Sequence, residues 1–400
     1  MRNSRFTAIL VTAVLAGASA LVLVPATSVG AATVSTEAEL RTAFATDSSV
    51  VLANDITLTD CVERDVDRNS PNDGPVTVDG QGHTVTQTCP DRVFDINSES
   101  ISTWRNVTVT GGRTNDDGGG LESEADHTTL ENATFTGNFA CSDSGGVHLE
   151  DGGLTLVNST LSNNTARDEG GASEIEGGGA GDNRLTAVNS TISGNSSFND
   201  GALNPDEGGS LVYVTLVGNT NLLDKPTCAG SLAADEDAAS DEEPGPSVKD
   251  ADEPANLFSF LDEGETISFF GTVIALPTDG PNCAIESDPV SPIPPTSSGY
   301  NFSDDATCGF TNTAAGDRET AGDPGLGALA SNGGPTQTRL PAATSPLLNF
   351  IPLASCQADG AAGVTTDQRG ISRPQGPGCE IGSVEVEVAA AVEIVIRFTG

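Results

Sequence analysis

The chain has 400 residues, with 57 Asp and Glu set against 17 Lys and Arg for a formal net charge of −40. Such a surface repels nucleic acid and anionic membranes, and would engage an anionic glycan only through bridging cations. Aromatic residues make up only 4% of the chain while glycine fills 46 positions, which suits short strands joined by tight turns rather than a compact globule.

Arg2 and Arg5 precede an apolar run from Phe6 to Val24, and Val29-Gly30-Ala31-Ala32 offers a small-residue cleavage site. This is the pattern of a secretory signal peptide, assigned to residues 1–32. No later stretch reaches the roughly 18 apolar residues of a spanning helix. The closing run from Val388 to Ile396 is short and contains Glu393. The mature chain is therefore expected to be secreted, without a transmembrane segment, and monomeric.

Thr36-Glu37-Ala38-Glu39 has the form of a capping box and opens a short amphipathic helix carrying Leu40 and Phe44. A helix there would cover the exposed end of a stack of strands. Strands are predicted next at Val50 to Leu52, Ile56 to Leu58, Val76 to Val78, Val85, and Val93 to Ile96, with a turn at Asp79-Gly80-Gln81-Gly82-His83.

From Trp104 to Asn219 one unit is rewritten five times: Arg105-Asn106-Val107-Thr108-Val109, Glu131-Asn132-Ala133-Thr134-Phe135, Val157-Asn158-Ser159-Thr160-Leu161, Val188-Asn189-Ser190-Thr191-Ile192 and Val212-Tyr213-Val214-Thr215-Leu216. Successive copies are 26, 26, 31 and 24 residues apart. Four continue into Asn138, Asn164, Asn195 or Asn219, and acidic turns with small residues, such as Asp116-Asp117-Gly118-Gly119 and Asp143-Ser144-Gly145-Gly146, punctuate them. A fixed period in the twenties marks a stacked repeat. No two-residue hairpin loops and no helical periodicity serve these strands. Each strand must then pair in parallel with its equivalent one winding away, about 4.8 Å distant. Residues 33–224 are assigned to this parallel β-helix.

Residues 225–280 read as an insertion: Ala234 to Pro254 is acidic and low in complexity, too polar to offset its ordering entropy. Phe269 to Ala275 restores one strand, a Pro-rich loop runs from Pro289 to Pro295, and the remainder is loop-rich.

Two resemblances follow. The glycine pairs with Phe135-Thr136-Gly137-Asn138 and its variants ending at Asn164, Asn195 and Asn219 resemble the repeats of polymorphic outer-membrane proteins. The blocks Asn282-Cys283, Gly299-Tyr300-Asn301-Phe302-Ser303, Cys308-Gly309-Phe310, Asn332-Gly333-Gly334-Pro335-Thr336-Gln337-Thr338, Ser345-Pro346, Asp367-Gln368-Arg369-Gly370, Arg373-Pro374 and Cys379-Glu380-Ile381-Gly382 resemble the choice-of-anchor (type Q) module of secreted bacterial β-helix proteins. The resemblance places that module at residues 281–387, with 388–400 as a tail, and implies an extracellular or cell-surface role. The expected fold is all-β: a right-handed parallel β-helix, a pectate-lyase-like solenoid, with a short N-terminal capping helix and a loop-rich, disulfide-bonded C-terminal region. Eight cysteines in an exported chain read as disulfides. Cys283–Cys308 and Cys356–Cys379 follow from proximity together with the module resemblance. Cys61–Cys89 follows from proximity alone, and Cys141–Cys228 by elimination.

Three constellations are candidates for a role. Asn106, Asn132, Asn158 and Asn189 should stack at one phase, where amides can bond from winding to winding as a structural ladder; they also spell sequons. Asp117, Asp143, Glu169 and Asp200 should share the phase before the small-residue step, forming either a solvated acidic edge or a calcium site. Glu122, Glu124, His148 and Glu150 could share an outward sheet face, where paired carboxylates at the right separation can hydrolyse glycosides.

No catalytic residue is assigned. The Asn-Thr-Asp, Gly-His-Gly and Arg-Ile-Lys blocks of polygalacturonases are missing, and a lyase would want a basic group where only Arg105, Arg113, Arg167 and Arg184 occur. The expected function is a non-catalytic secreted or cell-surface β-helix protein, adhesin-like or engaged with a matrix, whose partner is an extracellular glycan or a surface protein. The alternative is a carbohydrate-active enzyme, a polysaccharide lyase or glycoside hydrolase, on the same scaffold. No cofactor is expected, with calcium the one candidate.

Overall fold

The repeat closes into a parallel β-solenoid in the computed structural model, which describes residues 31–69, 74–98, 100–150, 152–176, 184–228, 253–287, 292–356 and 363–386. All but the last two residues of the assigned signal peptide, nearly all of the acidic stretch from Ala234 to Pro254, and the tail lie outside the described residues. One winding runs His127–Glu131, Thr134–Thr136, Phe139–Ala140 and Val147–Leu149, and the next opens at Gly153. Each strand pairs in parallel with its equivalent one winding away, so that Leu130 stands between Trp104 and Leu156. Among the described residues the windings build sheets of ten, nine, eight and four strands.

Alternation along these short strands turns one side chain in two toward the axis. Val78, Trp104, Leu130 and Leu156 from the first sheet meet Val109, Phe135 and Leu161 from the second, and Phe94, Leu121 and Val147 from the third, all buried. The helix Glu37–Thr46 closes the first end. Thr36 Oγ1 accepts from the Glu39 N–H at 3.3 Å while Glu39 Oε2 accepts from the Thr36 N–H at 3.2 Å. This reciprocal cap sets Leu40, Ala43 and Phe44 onto the open core, with the Phe44 ring 5.2 Å from that of Phe94.

The solenoid does not end at the insertion. Leu257–Leu261, Thr266–Phe270 and Val273–Ala275 resume the three main sheets, and Cys283–Ser287, Thr296–Gly299 and Phe302–Ser303 add a further winding. The insertion thus holds a full winding rather than one strand, and the module assigned from residue 281 begins inside the solenoid. A loop of almost any length can leave and rejoin such a stack, because closure entropy grows slowly with length.

Two asparagine columns divide the work that the sequence suggested for one. Asn106, Asn132, Asn158 and Asn189 do stack at the first corner, with φ of 49, 52, 51 and 47°. Left-handed backbone turns the chain there, a conformation Asn tolerates better than most residues. Their amides do not bond to one another: Asn106 reaches Asp79 and Asn189 reaches Thr366. The ladder belongs to the next corner. Asn138 Nδ2 donates to Asn164 Oδ1, Asn164 to Asn195 and Asn195 to Asn219, each at 3.1 Å, and Asn219, Asn256 and Asn282 continue it to Asp304. Asn195 Oδ1 also accepts the backbone N–H of Asn164. Asn195→Ala is therefore expected to lower unfolding stability by about 1–3 kcal/mol for each donor it orphans. Denaturant titration checks this, and an unchanged midpoint would show the ladder to be dispensable.

The four cysteine pairs Cys61–Cys89, Cys141–Cys228, Cys283–Cys308 and Cys356–Cys379 are disulfide-bonded. The C-terminal segment lies over the outer face of the second sheet, where the windings from Thr84 to Thr215 each present a threonine. Thr160 Oγ1 donates to Gln337 O at 2.7 Å, Thr191 Oγ1 to Gln368 Oε1 at 2.6 Å, and Thr215 Oγ1 accepts from the Ser383 N–H at 2.9 Å. The blocks Thr336-Gln337, Asp367-Gln368-Arg369 and Ile381-Gly382-Ser383 are thus the contacts of a strap across the solenoid.

Candidate functional site

The outer face of the third sheet carries the densest cluster of titratable groups. Parallel register stacks its outward residues into a column: Asp67, Asp95, Glu122, His148, Glu174 and Asn204, one per winding. Two residues further on, Asn97, Glu124, Glu150 and Glu176 face the same way. Glu122, His148 and Glu174 are buried although they point away from the core. Glu122 and His148 line a trough with Asp116 and Asp117 of the acidic turn and with Glu124, Glu150 and Glu176, a cleft of about 480 Å³. A second cleft of about 460 Å³ shares Arg92, Asp95, Asn97 and Asp116 with it, so the two are continuous along the solenoid.

Both nitrogens of His148 are engaged. Nδ1 lies 2.9 Å from Glu122 Oε1 and Nε2 lies 3.1 Å from Glu176 Oε1, with Glu174 Oε2 at 3.9 Å. Burial opposes charge on the imidazole, but Glu122 and Glu176 outweigh it and hold the ring protonated well above its ordinary range. Arg92 is likewise clamped, 3.1 Å from both Asp95 and Asp116. Burial pushes the carboxyl of Asp95 up to about 7, against the pull of Arg92 and with the help of Glu122. Burial with Asp91 and Asp95 nearby does the same to Asp65, also to about 7. Glu150 is raised by burial and then by Glu124, Glu122 and Glu176. Glu174 is raised well above the usual range by burial, Asp143 and Glu169. The trough therefore holds protons at neutral pH.

The acids of the turn form a column of their own. Asp117 Oδ1 accepts the backbone N–H of Asp143 and Asp143 Oδ1 that of Glu169, both at 2.7 Å. These carboxylates neither converge on one point nor fan into water; each bonds the winding below. Asp200 is one place out of phase. Gly171 and Ala172 bond to Gly201 and Ala202, which sets Asn199 against Glu169 and Asp200 against Gly170. Asp200 takes that place because its φ of 46° is left-handed like that of Gly170 and Ser144, and Asp tolerates it. Burial, followed by Glu169 and Glu253, with which it shares hydrogen bonds, pushes its carboxyl up to about 10. Asp143 is pushed to about 8 by burial, Asp117 and Glu169.

Sequence reasoning named Glu122, Glu124, His148 and Glu150, and the structure brings Glu122 and His148 into contact. It missed Asp95, Arg92, Glu174 and Glu176. Adding the 26-residue step to His148 and Glu150 would have reached Glu174 and Glu176. Comparison with known protein families, curated proteins and solved structures returns no match.

Proposed function

We propose that this is a secreted or cell-surface, non-catalytic interaction protein that presents the acidic trough to an extracellular partner. That partner is a glycan or a surface protein whose contact face is rich in hydroxyls or cations. One observation carries the reading: the groups a polysaccharide-cleaving site would need free are committed to neighbours. His148 is bonded at both ring nitrogens, and Arg92 is held by two aspartates. Four disulfides fit an oxidising compartment, and no helix among the described residues is long and apolar enough to cross a membrane. A trough along a rigid stack of strands also suits an extended ligand, since successive windings offer near-equivalent contacts.

The second reading is a glycoside hydrolase or lyase. It is favoured by Glu150, raised by burial and by Glu124 beside it, as a general acid must be. Incubating the mature protein with a polysaccharide panel, while following retention together with new reducing ends and unsaturated products, separates the two. Retention without product is the expected result. Turnover that disappears in Glu150→Gln would overturn the non-catalytic reading.

A further inference from the structure

His148, Glu174 and Glu176 offer three ligand atoms that lie within 4.8 Å of one another. We propose that they form a site for a first-row divalent transition ion of the zinc class. The site stands apart from the reading of the trough as a partner surface and needs no partner to be tested.

The register builds it. Glu122, His148 and Glu174 are cross-strand neighbours on three successive windings, and Glu176 follows Glu174 at the spacing that returns a side chain to the same face. The Nδ1–H of His148 meets Glu122 Oε1 at 2.9 Å. A carboxylate there holds the Nδ1 proton, so that an ion displacing the Nε2 proton would meet the Nε2 lone pair, an arrangement recurrent behind metal-bound histidines. Nε2 faces Glu176 Oε1 at 3.1 Å and Glu174 Oε2 at 3.9 Å. With bonds of about 2.0–2.2 Å, one ion can touch both partners of either pair. Its remaining positions would open into the trough, because the Glu176 side chain is 46% exposed.

A second, independent observation points to a ligand. The Glu174 side chain is only 6% exposed. Its Oε1 accepts from Asn204 Nδ2 at 3.2 Å, which fixes the carboxylate, yet Oε2 has no hydrogen-bond partner. That unpartnered oxygen is the one aimed at His148. At 3.9 Å the His148 ring is too far to hydrogen-bond this buried oxygen, whereas an ion seated between the two would ligate both. The donor set selects the ion: one imidazole nitrogen with two carboxylates suits zinc and its neighbours, whereas calcium takes six to eight oxygens.

The test is calorimetric titration of zinc chloride into chelator-stripped, dialysed mature protein at pH 7.5, with calcium chloride in parallel. One zinc equivalent is expected to bind with a micromolar or tighter Kd, well separated from the weak association of ions with the acidic surface. His148→Gln and Glu174→Gln should each weaken it at least tenfold, and Glu122→Gln about ten- to a hundredfold through the histidine. Glu176→Gln lies on the half-exposed rim, so the chain should still fold, and it should weaken zinc binding while leaving the far-ultraviolet circular dichroism of the solenoid unchanged. The ¹⁵N resonance of His148 Nε2 should move on adding zinc, and calcium should give no event of this stoichiometry. Weak, multiple binding that is indifferent to Glu176→Gln, or equal binding of calcium, would overturn the assignment.

Discussion

Raising the pH from 5 to 8.5 is expected to lower the melting temperature of the mature protein by about 5–10 °C at low salt, a steady loss where many proteins gain. The cause is the set of carboxyls whose proton is held in the fold. Asp65 and Asp95 titrate at about 7, Asp143 at about 8 and Asp200 at about 10, all against an ordinary 3.8. Burial comes first in every case, followed by neighbouring charged groups. Between about pH 4 and these values the folded chain keeps protons that the unfolded chain has released. The number bound is then larger in the native state, and the slope of stability against pH is negative. Stability from these groups is fully present below about pH 4 and lost as pH climbs through 7 and 8. His148 runs the same way, since its raised pKa gives stability that is present below about 6.5 and fades above it.

The size follows from about 1.4 kcal/mol per pKa unit. The displacement of Asp95 alone is worth about 4 kcal/mol across its window, and the acids overlap because each raises the others. Each kcal/mol moves the melting point of a chain this size by about 2 °C. Glu37 and Asp305 oppose the trend at the acid end. Their pKa values are depressed by hydrogen bonds despite burial, so their contribution is lost on acidification, and the stability maximum should fall near pH 4–5. Calorimetry across the pH range checks the sign, and a melting point that rises from pH 5 to 8.5 would refute it. Asp143→Asn keeps an acceptor for the Glu169 N–H while removing the charge, and should flatten the profile by gaining stability only at the alkaline end.

The solenoid was legible because its period dictates register. Once copies recur at 26 residues, every residue acquires a neighbour, and small residues at the inner turns become a steric demand. A Cβ on Gly112 would meet the Gly119 carbonyl oxygen at 1.7 Å. What a column does was less legible. Both asparagine columns recur in sequence, but only the backbone reveals that Asn132 supplies a left-handed corner while Asn138 supplies an amide. The continuation at Leu257–Leu261 was hidden because the spacing rule fails across a long loop, although the structural phase survives it. The trough was legible in half. Glu122 and His148 stood out as chemistry-bearing residues, whereas Glu174 and Glu176 looked like two more acids in a chain full of them. Their significance lies in burial, which composition does not carry.

Replacing Arg373 with Met is expected to have the largest effect of any single substitution outside the core, a loss of about 3–5 kcal/mol. The Arg373 guanidinium lies 2.7 Å from Glu385, and both side chains are fully buried. It also donates to the Gly382 carbonyl at 2.8 Å and sits 4.0 Å above the Tyr213 ring. Tyr213 occupies the corner that asparagine holds in earlier windings, and its hydroxyl donates to the Cys356 carbonyl at 2.7 Å. One buried cation seated on an aromatic ring thus joins the threonine contacts in fixing the strap to the solenoid. Met preserves the stem but strands the Glu385 carboxylate in a site with no compensating charge. Glu385 retains the N–H groups of Gln375 and Glu380, which temper the loss without supplying a cation. The strap covers a separate apolar cluster that includes Tyr213, Phe270, Leu347, Ile351 and Ile381. Its release should therefore expose residues 363–386 to protease before the windings unfold, a local opening rather than a global one. Combining Arg373→Met with Glu385→Leu removes the stranded charge and should recover most of the loss, because the pair's net contribution is far smaller than the cost of breaking it. Urea unfolding and limited proteolysis of the single and double variants decide the matter: a single variant as stable as the parent, or a double variant weaker than the single, would show that the ion pair does not hold the strap.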